Sequence, residues 1–159
     1  MRLKCLTQAR GSALLELLAL VGLITLSTGF VFLNTDALWQ HYHKQQLRFC
    51  AQLLAADLRQ LQQEALFPAD TSSRDIRINP EKNGYFWTLK GSAVKAVHFT
   101  DYACEQVYFS SFLAKLSFSN NGAPSVNGYY RLQHRELDGF SYQVDVQPIT
   151  GRVLAHATQ

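Results

Sequence analysis

The chain has 159 residues, enough for one globular domain with a membrane anchor but not for two separate cores. Its net charge of +3 comes from the first eleven residues, which hold three of the 15 Lys and Arg and no acid, so the remainder carries 12 charges of each sign. That balance argues against a generally basic nucleic-acid-binding surface, although it leaves a local basic patch open.

A long apolar stretch follows this basic start. Residues 12–33 contain no Lys, Arg, His or Asp, and Glu16 is their only charged side chain. A helix of this length, about 33 Å, would cross the hydrocarbon core of a bilayer, which is about 30 Å thick. The excess of Lys and Arg places the first residues in the cytoplasm and the rest of the chain outside. The sequence therefore predicts a single-pass segment at residues 12–34 in the cytoplasmic (inner) membrane.

Glu16 is the unusual residue of this segment. A carboxylate at membrane depth costs about 2.5–3.5 kcal/mol on insertion scales, so it should have a partner. No basic residue lies three or four positions away. If the chain were cut after Gly11, the new α-amino group of Ser12 in one subunit could pair with Glu16 of another. The other interpretation is an uncleaved signal anchor that tolerates Glu16 near the membrane interface.

The basic leader, Gly11, the acid at Glu16 and the long apolar run together resemble the class III signal of type IV pilins and pseudopilins. In that family a prepilin peptidase cleaves after the glycine, and the new N-terminus is methylated. The resemblance implies that residues 1–11 are a leader peptide, that cleavage separates Gly11 from Ser12, and that Ser12 is N-methylated. It also implies that Glu16 pairs with a neighbouring N-terminus during assembly. The family usually has Phe where this chain has Ser12.

A helical pattern continues beyond the membrane segment. Apolar residues recur at steps of three and four, which marks one face of a helix. We therefore predict a helix from about Ala13 to Leu66 that ends at the Phe67-Pro68 pair, because the residue before proline avoids the α region. Its second part, residues 35–66, is amphipathic and should pack against the rest of the chain. The repeating positions are Leu47, Cys50, Leu54, Leu58, Leu61 and Ala65.

Beyond residue 67 the hydrophobic period changes to two, which is typical of half-buried strands. Turn signals separate about eight such segments, so we predict antiparallel sheets that lay one face on residues 35–66. The predicted fold class is α+β, with an extracytoplasmic β-rich domain at residues 67–159. The predicted strands lie near residues 76–78, 85–89, 94–99, 107–109, 116–118, 130–132, 142–146 and 153–155.

The end of the chain carries a second resemblance. The stretches FSNNGAPSVNGYYRLQ and GFSYQVDVQPITGRVLA are similar to the C-terminal signature of minor pseudopilins of the GspH/FimT type. The spacing of Asp57, Gln62 and Ala65, together with Asn83-Gly84-Tyr85, looks most like the competence minor pilin D. The matching signature residues are Phe118, Gly122, Pro124, Gly128, Thr150, Gly151, Arg152 and Val153.

These resemblances imply a structural subunit of a type IV pilus-like filament, found in a periplasmic or surface filament after assembly. The filament would serve DNA uptake in competence, type II protein secretion or a type IV pilus, with competence slightly favoured. The implied partners are other pilin or pseudopilin subunits, the prepilin peptidase and the inner-membrane platform of the assembly machine, with DNA or a secreted protein as cargo. The alternative is an uncleaved, single-pass anchored β domain that binds a ligand or cell-wall component.

Signals for catalysis are weak. The sequence contains no P-loop, GxGxxG, GxSxG or HExxH motif. His98, Asp101, Cys104 and Glu105 lie close together, and an exported hydrolase using His98 or Glu105 is a third hypothesis. A strand end followed by a loop gathers such residues by chance, so we predict a protein that is not an enzyme. We assign no catalytic residue, metal ligand or cofactor.

Two cysteines remain after the predicted leader is removed. Cys50 and Cys104 both fall in the part of the chain that should face an oxidising compartment. The pair could form a disulfide, or the two could remain buried thiols that behave as small apolar residues.

Overall fold

Among the residues that the structure describes, a long α-helix, α1 (Lys4–Leu66), precedes eight strands and one short 3-10 helix. The structure, a computed structural model, describes residues 4–67, 74–89 and 92–158, and within α1 it describes the side chains of residues 13–29 and of residues from 35 onward. The chain divides into two compact units, residues 1–40 and 41–159, which are described in turn.

The helix ends where the sequence predicts and begins earlier than predicted. It stops at Leu66, since Phe67 precedes a proline and is therefore biased away from the α region. The predicted start was Ala13, whereas the structure begins α1 at Lys4. Residues 4–10 contain no proline and consist mostly of side chains that tolerate a helix, and Gly11 alone does not interrupt it.

The first unit exposes apolar side chains along α1. Its large aliphatic residues between Leu14 and Leu26 are 49–78% exposed. The hydroxyls of Thr25, Ser27 and Thr28 donate to carbonyls within the preceding turn, so these polar groups are satisfied inside the helix. Among the described residues, no helical segment combines the length and the apolar character needed to cross a membrane. The predicted segment 12–34 includes positions whose side chains lie outside the described residues, namely 12 and 30–34.

The described part of the second unit forms two four-stranded sheets, and all the strand pairings in it are antiparallel. Sheet A has the order β3-β2-β1-β5, and sheet B has the order β4-β6-β7-β8. Each predicted strand has a counterpart, and the α+β fold class is confirmed. The strands are β1 (Arg74–Ile78), β2 (Gly84–Leu89), β3 (Ser92–His98), β4 (Val107–Ser111), β5 (Leu116–Ser117), β6 (Gly128–His134), β7 (Ser141–Val146) and β8 (Val153–Thr158), with the 3-10 helix Phe99–Tyr102 between β3 and β4.

The core lies between the apolar face of α1 and both sheets. Leu47, Leu54, Leu58 and Leu61 are all at most 1% exposed, which confirms the predicted face. Since burying one such side chain stabilises a fold by about 1.5–3 kcal/mol, this face is a major source of cohesion. The sheets contribute Ile76, Tyr85, Trp87, Val97 and Leu116 from sheet A and Val107, Phe109, Tyr130, Leu132, Val144, Val146 and Val153 from sheet B.

A buried acid fixes α1 against sheet A. Both carboxylate oxygens of Asp57 accept hydrogen bonds from Lys95 Nζ at 2.9 Å, and Oδ2 also accepts one from the Tyr85 hydroxyl at 2.9 Å. Burial, followed by the neighbouring Asp57 charge, raises the pKa of Tyr85, so its hydroxyl stays a donor. The Lys95 ammonium also lies 4.9 Å from the ring centre of Trp87. Asp57 therefore holds one turn of α1 to β2 and β3.

Candidate functional site

Three of the predicted signature residues meet at a single side chain of α1. Gln62 Nε2 donates to the carbonyl oxygen of Gly122 at 2.9 Å and to that of Thr150 at 3.1 Å. Gly151 packs against the same amide. We call Gln62, Gly122, Thr150 and Gly151 the Gln62 junction. It joins the last turns of α1 to two loops that lie far apart in the sequence.

The two glycines of the Gln62 junction are required by backbone conformation and by space. Gly122 and Gly151 have φ values of +77° and +65°, which residues other than glycine rarely adopt. A methyl group on Gly151 would overlap the Gly122 carbonyl oxygen and the Gln62 amide, and one on Gly122 would press on Leu66 and Gln62. A side chain at Gly151 would therefore force the Gly122 loop or Gln62 to move, whereas a side chain at Gly122 would mainly strain its own backbone.

The remaining signature residues shape the approaches to the junction. Pro124 pairs with Phe118 in an isolated antiparallel bridge. Gly128 is the first residue of β6, and a Cβ at this position would lie 2.6 Å from Leu113 Cδ2. Arg152 is exposed, and its backbone N–H donates to Thr150 Oγ1 at 3.3 Å. The structure thus brings Gly122, Thr150 and Gly151 together and gives Pro124 and Gly128 local roles in the neighbouring turns.

A second polar cluster, which the sequence did not suggest, joins α1 to the end of β6. The rings of His43 and His134 lie 4.1 Å apart, and both ring systems are buried. Gln46 Oε1 lies 3.2 Å from His43 Nδ1 and 3.3 Å from His134 Nε2, while Glu136 Oε2 lies 2.9 Å from His43 Nε2. Two histidines ninety-one positions apart give no local pattern, so only the fold reveals them.

The hydrogen bonds of this cluster favour a neutral His134. The backbone N–H of Glu136 donates to His134 Nδ1 at 3.2 Å, so that nitrogen must present a lone pair. Burial lowers the pKa of His134, and the neighbouring His43 lowers it further, while Glu136 acts in the opposite direction. Protonation of His134 at Nδ1 would break the bond to Glu136, which makes the cluster sensitive to acid.

The two cysteines face one another, Cys50 from α1 and Cys104 from the loop before β4. Both are buried free thiols, and Cys104 Sγ lies 3.8 Å from the Gln46 carbonyl oxygen, one turn before Cys50 on α1. Contact with Cys104, together with burial, raises the pKa of Cys50. The same contact lowers the pKa of Cys104. The two thiols lie in contact, and a disulfide between them stays one of the two alternatives that the sequence left open.

The residues considered for catalysis do not converge in the structure. His98, Asp101 and Glu105 are exposed, whereas Cys104 is buried towards α1. Within residues 4–67, 74–89 and 92–158, no three His, Cys, Asp or Glu side chains form a group that could hold a metal ion.

The predicted processing site lies at the edge of the described structure. The backbone of Gly11 and Ser12 belongs to α1, but their side chains lie outside the described residues. Glu16 is described and lies exposed on the helix. Cleavage, methylation and charge pairing at these residues therefore stay predictions.

The arrangement of α1 and the two sheets has counterparts among solved structures. Two crystal forms of the type IV minor pilin FimU of Pseudomonas aeruginosa strain PAO1 match it, with TM-scores of 0.56 and 0.52. The chain has a pilin-like fold. The matches cover 73% and 71% of this chain and 95% and 98% of FimU, at 18% and 19% sequence identity. The sequence matches no protein-family model and no curated protein.

We predict that Gly151→Ala destabilises the second unit. The alanine must adopt a positive φ, at about 1–2 kcal/mol, and must also displace the Gly122 carbonyl or Gln62, at about another 1–3 kcal/mol. Urea unfolding of the full chain in detergent micelles, followed by circular dichroism, measures the change in the free energy of unfolding.

Gly139 offers a matched control for this substitution. Its φ is +70°, and nothing lies within 4 Å of its Cβ position, so Gly139→Ala carries the conformational cost without the overlap. Equal losses of stability in the two variants would contradict a packed Gln62 junction.

We also predict that the protein loses stability as the pH falls. Because the pKa of His134 is lowered in the folded state, the unfolded chain binds more protons below the ordinary value of 6.5, and acid therefore favours unfolding. Melting temperatures measured across pH 6.5 should fall towards acid in the wild type and fall less in His134→Gln. The exposed His98→Gln should follow the wild type, and a His134→Gln curve as steep as the wild-type curve would refute the assignment.

Proposed function

We propose that this protein is a structural subunit of a type IV pilus-like filament, of the minor pilin or pseudopilin kind. The observation that carries the proposal is the pilin-like fold in a chain whose N-terminal sequence joins a basic leader, Gly11 and Glu16 to a long apolar stretch. Neither feature alone would suffice, because a fold hosts several functions and a basic leader with an apolar helix is common.

Membrane insertion before assembly follows from the same features. The basic leader favours a cytoplasmic N-terminus, and the exposed aliphatic side chains of residues 14–26 need an apolar environment. In the proposal a prepilin peptidase then cleaves between Gly11 and Ser12, and Ser12 becomes N-methylated. The globular second unit lies outside the cytoplasmic membrane.

Glu16 makes assembly favourable, because its carboxylate lacks a compensating charge in an isolated, inserted subunit. Its neighbours Leu15 and Leu17 are 71% and 66% exposed, so its carboxylate would sit among lipid chains in an isolated subunit. A sister subunit could provide the compensating charge through the new amino group of Ser12. Pairing of this kind makes the bundle of helices more favourable than the separated, inserted subunits.

The proposal extends to the filament system that the subunit belongs to and to the cargo of that system. DNA uptake in competence is preferred over type II protein secretion and a type IV pilus, on the spacing of Asp57, Gln62 and Ala65. Asp57 and Gln62 each form hydrogen bonds to residues remote in sequence, so their positions on α1 determine which strands and turns they hold. The GspH/FimT subtype, the assembly platform, and DNA or a secreted protein as cargo belong to the same proposal.

We infer a structural role for the second unit, not a catalytic one. The residues that the sequence offered for hydrolysis are dispersed, and the best organised polar groups join α1 to the sheets.

We predict that Gly11→Val blocks processing in the natural host. The peptidase should fail at the bulkier residue, so the full-length precursor should accumulate on immunoblots of the membrane fraction. Gly29→Val is the control, because Gly29 lies on the same helix with nothing within 4 Å of its Cβ position. Equal mobility of wild type and Gly11→Val would favour the uncleaved anchored domain.

We further predict that Glu16→Ala spares membrane insertion and removes the subunit from filaments. The loss should be roughly tenfold or more, since an unpaired buried charge on the neighbouring subunit would remain. Immunoblots of sheared filaments and of membranes measure both quantities. Glu105→Ala, at an exposed acid, should assemble normally, and normal incorporation of Glu16→Ala would refute the pairing.

A further inference from the structure

A groove runs between one flank of α1 and the strand β8, and we call it the β8 groove. Its volume of about 440 Å³ is within the range of ligand-binding pockets. The Gln62 junction does not contribute to it, and neither do the histidines of the second cluster. The lining residues are Arg48, Gln52, Ala55 and Arg59 of α1, Tyr142 of β7, and Leu154, Ala155, His156 and Ala157 of β8.

The β8 groove is positively charged. Arg48 and Arg59 both line it, and in the described part of the chain none of its lining residues is acidic. Lys44, one turn before Arg48, extends the basic flank and lies 5.1 Å from the ring centre of Phe140. Along α1 the two arginines are separated by about 16 Å, the span of about five extended residues. The groove therefore suits a ligand with two or more separated anionic groups.

The wall opposite α1 is the free edge of sheet B. Among the described strands, β8 is the last strand of that sheet and pairs with β7 alone. The Arg152 carbonyl points to β7, where it accepts from Gln147 N–H, whereas the Val153 carbonyl accepts from Arg59 Nη2 at 3.0 Å. By the alternation of a strand, the N–H and C=O groups of Ala155 and Ala157 also point away from β7. Within the described ranges 4–67, 74–89 and 92–158, no residue bonds to these groups, so they can pair with another extended backbone.

We propose that the β8 groove binds an extended acidic peptide segment, which adds to β8 as a further strand and sets its carboxylates against Arg48 and Arg59. Backbone hydrogen bonds to Ala155 and Ala157 supply affinity, and the arginines select acidic side chains on one face of the added strand. In the part of the chain that the structure describes, Arg59 donates one of its five N–H groups, to the Val153 carbonyl, so the others can bind a carboxylate. This interaction site goes beyond assembly through Glu16.

A peptide fits the β8 groove better than a nucleic acid strand. Only a peptide presents donors and acceptors at the spacing of an exposed strand edge. A single nucleic acid strand would need aromatic stacking platforms. Among the described lining residues the aromatic rings are those of Tyr142, which is partly buried against the core, and of His156, whose Nδ1 lies 3.4 Å from Asp145 Oδ2.

Fluorescence anisotropy tests the proposal with the full chain in detergent micelles and a labelled synthetic peptide of alternating Glu and Val. We expect saturable binding that a peptide of alternating Lys and Val does not show. The double variant Arg48→Ala, Arg59→Ala should weaken binding by roughly tenfold or more, because two charged contacts are lost. Arg135→Ala, at an exposed arginine outside the groove, should bind as the wild type does.

Ala155→Pro separates strand addition from simple charge attraction. The substitution removes an N–H that points away from β7, so both arginines remain while the added strand loses its donor. We expect a comparable loss of peptide binding. If this variant does not fold, a Glu and Val peptide that is N-methylated at every residue decides, because it keeps its carboxylates but has no backbone donor for the added strand. It should bind much more weakly than the unmethylated peptide, and equal binding of the two peptides would overturn strand addition. Arg48→Glu tests the charge contact and should abolish binding of the Glu and Val peptide.

Several results would overturn the proposal. These are absence of wild-type binding to the acidic peptide, unchanged binding in Arg48→Glu or in the double variant, and unchanged binding in folded Ala155→Pro. A labelled oligothymidylate that binds more tightly, needs the arginines and ignores Ala155→Pro would identify a nucleic acid site instead.

Discussion

The second unit depends on covering one apolar face of α1. From Leu47 to Leu61 the helix presents a continuous row of side chains that are almost completely buried, and neither sheet alone covers them. Since a sheet with one apolar face must also find a partner, α1 and the two sheets satisfy each other's requirement. The hydrophobic effect sets which face of the helix is turned inward, but it is not directional and does not set the register.

Register is set by polar side chains on the flanks of that apolar face. Asp57 reaches β2 and β3 on one side, and Arg59 reaches the β8 backbone on the other. Gln62, further along, holds the two glycine turns. Each bond loses its partner if the helix rotates or slides by a residue, and a buried polar group without a partner costs about 1–3 kcal/mol. These contacts therefore turn a non-specific apolar layer into one defined arrangement.

Local patterns in the sequence predicted the elements but not their meeting points. Steps of three and four gave the buried face of α1, and alternation gave the eight strands, because both periods follow from backbone geometry. The pairing of Gln62 with Gly122 and Thr150, and of His43 with His134, joins positions far apart in the chain. Such contacts depend on strand order, which no local period encodes. The turn signals also predicted positive φ at Gly122 and Gly151, and both have it. The close approach of Gly151 to the Gly122 carbonyl oxygen was not predictable, because the two turns lie far apart in the chain.

The apolar residues of the first unit are exposed, whereas the apolar face of α1 in the second unit is covered by the sheets. Their large surface is unfavourable in water, and Glu16 within it is unfavourable in lipid. Insertion followed by assembly with sister subunits would resolve both conflicts, provided that a new amino terminus is generated at Ser12. The pilin-like fold and the leader motif then have a single explanation.

Intact-mass and N-terminal peptide mass spectrometry of the protein purified from its natural host tests this explanation most directly. We predict a mature chain that begins at Ser12 and carries one N-methyl group. A membrane-bound chain that still begins at Met1 would contradict it.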